Sequence, residues 1–235
     1  MSSIIQRRAG FTLVELLSVI GIIGILAAII IPVAGRVRQS AHSSQCAGNL
    51  RQIGVGMNLY IADHRQHYPL SFNGNSTNPD NNWWYYISPY LGRPVKNEWT
   101  DLMNASAPGT ALGCPTTDVS DTRYTLPWVS YKMTMAHRAW LTLHGGWSTE
   151  GLQVNQITSP AKSLLVAEGK ALPHFSSWTT ADPETGAWSA ADQKTGVIYP
   201  HAGKLNALFA DGHVASFTES DLQSRWDTFY THAVE

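Results

Sequence analysis

Cysteine is nearly absent: the 235 residues hold two, Cys46 and Cys114. That excludes a disulfide-dense scaffold and a zinc site built from cysteine alone. Charge is also scarce, at 14% of residues with a net of −1, so no basic field argues for a nucleic-acid partner. No G-x-S-x-G, no G-x-x-x-x-G-K-[ST], no H-E-x-x-H and no dinucleotide-binding glycine fingerprint occurs. The remaining carboxylates and histidines are too scattered to form a catalytic set, so the expectation is a protein that is not an enzyme and carries no cofactor. At 43% apolar the composition is globular, and the length allows one domain with an added element, or two small domains.

The charges that are present lie unevenly. Six Lys and Arg stand against two acids through residue 65, and ten against fifteen beyond it. A basic front and an acidic body suggest two environments. The front holds an apolar run, FTLVELLSVIGIIGILAAIIIPVA from Phe11 to Ala34, interrupted by Thr12, Glu15, Ser18 and Pro32. About 20 apolar residues in a helix cross the hydrocarbon core of a bilayer. Arg7 and Arg8 before the run favour a cytoplasmic N-terminus, which puts the body outside, in an oxidising compartment. A secretory signal peptide has a shorter apolar region of about 7–15 residues, and no use for a carboxylate within it. A charge at the centre of such a helix costs roughly 2.5–3.5 kcal/mol, and less near an end. Glu15 therefore requires a partner, and the available one is the α-amino group of a chain cut just before Phe11.

Arg8-Ala9-Gly10 followed by Phe11-Thr12-Leu13-Val14-Glu15-Leu16 resembles the prepilin peptidase site of type IV pilins and type II secretion pseudopilins. The resemblance implies cleavage between Gly10 and Phe11, N-methylation of Phe11, and pairing of Glu15 with the Phe11 amine of a neighbouring subunit in a filament. Pro32 falls where these proteins carry a helix-bending proline. The implied partners are prepilin peptidase, further copies of the chain, other pilins or pseudopilins, and the bacterial inner membrane, crossed once with the head periplasmic.

Beyond Pro32, Cys46, Leu50, Ile53, Met57 and Tyr60/Ile61 recur at helical spacing, opposite Arg36, Arg38, His42, Gln45, Asn49 and Arg51. The spacing predicts one helix from about Phe11 to about Asp63. The expected organisation is a leader over 1–10, a transmembrane helix over 11–33, an amphipathic second half over 34–65 and a globular head over 66–235. Strand-like pieces lie at Leu152–Ile157, Ser163–Ala167, Leu205–Ala210 and His213–Thr218. The last two read as a hairpin around a two-residue type I′ Asp211-Gly212 turn. The fold class is α+β and pilin-like: a long N-terminal helix, its first half in the membrane, packed on a small antiparallel sheet. His201 with Asp211-Gly212-His213-Val214, Ile157 to Lys162 with Leu164 to Glu168, Cys114-Pro115, and Cys46 with Asn49 to Gly54 also resemble a large bacterial group of pseudopilin-like proteins.

In an oxidising compartment Cys46 and Cys114 suggest a disulfide tying helix to head, the alternative being two buried thiols. His201, Asp211 and His213 are candidate metal ligands by residue type, although a turn aspartate and a strand histidine account for two of them. Asp182, Glu184 and Asp192 are oxygen ligands of the kind calcium takes, without an EF-hand spacing; a solvated acidic loop explains them equally. The function read from these features is a structural pilin or pseudopilin subunit. The alternative is a membrane-tethered module binding carbohydrate or protein, supported only by Trp83-Trp84-Tyr85-Tyr86 and the long loop 171–200.

Overall fold

The computed structural model describes residues 13–71, 82–93, 109–116, 130–134, 151–169, 174–175 and 197–231. Helix α1 spans Leu13–Asp63 and runs on through Pro32. A short helix α2 (Trp83–Ile87) leads directly into a 3₁₀ turn, Ser88–Leu91. Five strands follow: β1 (Tyr131–Thr134), β2 (Leu164–Glu168), β3 (His174–Phe175), β4 (Lys204–Phe209) and β5 (Val214–Thr218). Helix α3 (Glu219–Thr231) closes the described chain. Two units divide the molecule, Met1–Ala41 and His42–Glu235.

Within the first unit α1 carries apolar residues on every side as far as Val33. Its large apolar residues from Leu13 to Val33 are all exposed, from 46% at Val19 to 80% at Leu13. A helix apolar all round belongs in a bilayer or a protein core rather than in water. This one is long and apolar enough to cross a membrane.

In the second unit α1 buries one stripe, Cys46, Asn49, Leu50, Ile53, Gly54, Gly56, Met57 and Ile61. The apolar members are those the sequence periodicity selects, and the two glycines have a packing reason. A Cβ on Gly54 would stand 3.1 Å from Leu208 Cδ1, and one on Gly56 would stand 3.0 Å from Leu91 Cδ2. Glycine lets β4 and the 3₁₀ turn approach the helix axis, which offsets its cost of about 1 kcal/mol in helix propensity. Trp83, Trp84 and Ile87 of α2 are buried in the same core. The two tryptophans are therefore core residues and offer no stacking face to a ligand.

The sheet order is β3-β1-β2-β4-β5. Neighbours pair antiparallel except β1 and β3, which run parallel, so the sheet is mixed rather than purely antiparallel. All five residues of β2 are buried, because the sheet is covered on both faces. Leu165, Val166 and Leu208 pack into the core that includes the α1 stripe. Leu164, Leu205, Ala207, Phe209 and Phe217 pack with Leu222 and Phe229 of α3. The pairing of β2 with β4 shifts by one residue between Leu164 and Val166, a bulge that breaks strict alternation along β2.

Two local expectations are corrected. Leu152–Ile157 is not a strand. Gln153 and Gln156 form a reciprocal capping box around the 3₁₀ turn Val154–Gln156, and one isolated bridge, His67 to Gln153, remains. Leu152 and Ile157 are still buried. The β4–β5 connection is not a two-residue type I′ turn. Leu208 pairs with Val214, Phe209 N–H donates to His213 O, and Gly212 N–H donates to Phe209 O. The loop is Ala210-Asp211-Gly212, with a positive φ of 90° at Gly212 and none at Asp211. This is the three-residue hairpin with a glycine bulge, one register step from the sequence reading. Asp211 Oδ1 accepts from His213 N–H at 3.1 Å, a local bond that stabilises this turn.

Candidate functional site

Gly10 and Phe11 lie outside the described residues, as do Asp182, Glu184 and Asp192. Glu15 sits in the first turn of α1, where a carboxylate complements the helix dipole. It is surrounded by the exposed apolar residues of that turn and the next.

The histidines and Asp211 separate into two places. Asp211 and His213 meet at the hairpin, His213 Nδ1 lying 2.6 Å from Asp211 Oδ1, both partly exposed. Burial opposes ionisation of Asp211. Hydrogen bonds from the backbone and side chain of His213, with its charge, outweigh burial and hold the carboxyl below its ordinary range. His201 is at the other end of β4 and belongs to a different cluster. A tight turn with positive φ at both Ala202 (52°) and Gly203 (78°) folds it back, with His201 and Lys204 exchanging backbone hydrogen bonds. Positive φ at both central residues is the primed-turn signature, found here before β4 rather than after it.

That turn delivers His201 to Glu168 at the end of β2. Its Nε2 is 2.8 Å from Glu168 Oε1, with His201 5% and Glu168 0% exposed. Asn206 donates its backbone N–H to Glu168 Oε2 at 2.8 Å and its amide to Oε1 at 3.2 Å. Asn206 is itself held by Ser216 Oγ and donates to Ser43 O on α1. The other wall is sulfur. Cys46 and Cys114 form a disulfide, with Cα atoms 5.3 Å apart, both fully buried. Cys114 Sγ lies 3.9 Å from Glu168 Oε1, 3.8 Å from His201 Nε2 and 3.0 Å from Thr116 Oγ1. Asn49 of α1 donates to Thr110 O and Gly113 O and so fixes the loop that carries Cys114. Tyr131 donates to Cys46 O at 3.3 Å. Burial, with the Glu168 charge nearby, drives its hydroxyl pKa far above the usual value, so it remains a neutral donor.

With a sequence separation of 68, the disulfide contributes about 4 kcal/mol in the chain-entropy account of loop closure. Glu168 is the functional candidate that sequence reading did not single out. A lone glutamate closing a strand reads as a solvated end, and only the Ala202-Gly203 turn reveals what faces it.

Elsewhere on the head, Tyr60 stacks on His64 with ring centroids 3.8 Å apart and faces Tyr86 and Tyr90. Burial first, then the neighbouring Tyr86 and Tyr90, push its pKa up to about 12. These rings are structural in their contacts, and Tyr90 donates to Asp63 at the end of α1.

Comparison with known proteins gives two matches. Residues 5–31 match the prokaryotic N-terminal methylation motif. Residues 35–129 match a family described as protein of unknown function (DUF1559), a span that takes in both cysteines and stops before Glu168 and His201. No curated protein and no solved structure matches the chain. The methylation motif implies processing by a prepilin peptidase and pilin-like assembly in general. With that motif on an exposed apolar helix and the second match directly after it, the chain is similar to type IV pilin-like proteins over its N-terminal part.

Proposed function

We propose that the chain is a structural, non-catalytic subunit of a type II secretion or type IV pilus-like filament. In this reading it is cut between Gly10 and Phe11, methylated at Phe11 and held in the inner membrane by α1, with its head periplasmic until assembly. The observation that carries the proposal is the all-round apolar exposure of α1 from Leu13 to Val33. A bundle of identical helices removes this surface from water and lipid alike. A Cβ added at Gly21 or Gly24 would meet no described atom beyond the local helix within 4 Å, which leaves room for close helix approach. Glu15 then neutralises the amine of the next subunit, because an unpaired charge in an apolar filament core is costly.

Glu15→Ala tests this reading. The variant is expected to insert in the membrane and be processed at Phe11, as read by N-terminal peptide mass. Its recovery in sheared filaments should fall at least tenfold. Full filament yield from Glu15→Ala would overturn the assembly role and leave a tethered, unassembled head.

A further inference from the structure

Cys46, Cys114, Glu168 and His201 come from four separate parts of the fold, and their ligating atoms all lie within 4.8 Å of one another. A disulfide that only staples helix to head does not need a carboxylate and an imidazole against it. Burying that pair is expensive unless its geometry gives something back. The carboxylate is already divided in labour: Oε2 takes the Asn206 backbone N–H, while Oε1 faces His201 Nε2 and Cys114 Sγ. His201 Nδ1 is buried and has no hydrogen-bond partner among the described residues, so half of the imidazole's bonding capacity is unspent.

Two thiolates, one imidazole nitrogen and one carboxylate oxygen form a tetrahedral donor set for a borderline-soft divalent ion such as zinc. Ligand atoms around such an ion stand on the order of 3.3–3.8 Å apart, given metal–ligand bonds of about 2.0–2.3 Å. The Cys114 contacts to Glu168 and His201, at 3.9 and 3.8 Å, are within a few tenths of that geometry. The imidazole–carboxylate contact needs to open by only about half an ångström to admit the ion. The main change required is cleavage of the sulfur–sulfur bond.

We propose that the reduced chain binds one zinc-class divalent cation through Cys46, Cys114, Glu168 and His201, and that the disulfide is the oxidised, metal-free state of the same site. A dithiol reductant breaks the Sγ–Sγ bond and leaves as its own disulfide, carrying the two electrons' worth of oxidation away. The two cysteine thiols then release their protons to solvent as the cation binds. In the reverse direction a protein disulfide accepts two electrons and two protons from solvent, becomes a dithiol, and the cation departs as Cys46 and Cys114 join. Metal and disulfide are mutually exclusive because both use the same sulfur electron pairs.

The test uses the full chain in detergent, reduced with a phosphine, freed of reductant under inert gas and titrated with Co²⁺ alone and then Zn²⁺. One equivalent of Co²⁺ with a tetrahedral thiolate spectrum, displaced by Zn²⁺, is expected for the reduced chain and none for the oxidised chain. Glu168→Gln and His201→Ala are each expected to weaken the reduced-state affinity by roughly tenfold or more. Their folding is checked by recovery of the disulfide on reoxidation. The proposal fails if reduced wild type shows no thiolate–cobalt spectrum, or if both variants bind as tightly as wild type. A second measurement is independent of those variants. Zn²⁺ should raise the Tm of the reduced wild type and leave that of Cys46→Ala/Cys114→Ala unchanged. An equal response of the two, or none in wild type, would also sink the site.

Discussion

Between Leu13 and Val33, α1 turns apolar side chains in every direction and buries none of the large ones; between Cys46 and Ile61 it buries one stripe and leaves the rest to solvent. The backbone is continuous and helical through both stretches. What differs is where the partner comes from. The second stretch finds its partners in the sheet, α2 and the Cys114 loop of its own chain, whereas in the proposed function the first finds them in lipid or in other chains. Glycine follows the contrast in part. A Cβ added at Gly54 or Gly56 would press on side chains of the same molecule, whereas one added at Gly21, Gly24 or Gly35, and also at Gly48 in the second stretch, would meet nothing beyond the local helix within 4 Å among the described residues.

The contrast can be broken by substitution, taking the largest effect first. Leu50→Ala empties a fully buried position in the head core and should cost about 2–5 kcal/mol of head stability. Ile25→Ala, at a position 65% exposed, should leave head unfolding by urea unchanged. An equal loss from both would mean that the first stretch does support the head. Gly54→Val drives methyl groups into Leu208 and should cost about 1–3 kcal/mol. Gly24→Val should be neutral for the isolated chain and show its effect only in filament yield, if close helix approach is the reason for glycine there. A loss of head stability from Gly24→Val would contradict that division.

The smallest effect is at the β4–β5 hairpin. The Asp211 carboxyl is held below its ordinary range in the folded state, so its contribution is present above the unfolded pKa of about 4 and is lost as pH falls through the lowered folded value. Asp211→Asn should therefore be less stable than wild type by under about 1 kcal/mol at neutral pH. The gap should close on acidification below about pH 4. A gap that stays constant across the acid range would assign the effect to turn geometry alone.

The sequence made some of this legible and hid the rest for physical reasons. The apolar run and Glu15 are visible because a bilayer demands length and punishes charge, and both are properties of consecutive residues. The stripe from Cys46 to Ile61 is visible because helical periodicity survives without knowledge of the partner. The hairpin was located correctly but set one register step off, because Asp-Gly suits both a two-residue primed turn and a three-residue bulged turn. Only the hydrogen bonds of Phe209, Gly212 and His213 distinguish them. Helix α3 was not anticipated, although its start is written locally. Thr218 and Asp221 bond reciprocally through side chain and backbone at 3.1 Å in each direction. The Thr218 hydroxyl, donating at 2.7 Å, and then the Thr218 backbone N–H hold the Asp221 carboxyl below its usual range. The Glu168–His201 pair had no local signal, since β2 and the turn before β4 are joined by topology and not by spacing.

Cys46 is the first buried residue of α1 in chain order, and it is also the one bonded covalently to the head. A pull on the N-terminal end of the helix would otherwise peel the stripe away one contact at a time, starting at its edge and needing only the force to free each side chain in turn. With the bond at that edge, the load passes into Cys114 before it reaches Leu50, Ile53 or Met57. Mechanical failure then requires the head to open as a whole or a covalent bond to break, so the resistance of the joint is set by the disulfide and not by the weakest apolar contact behind it.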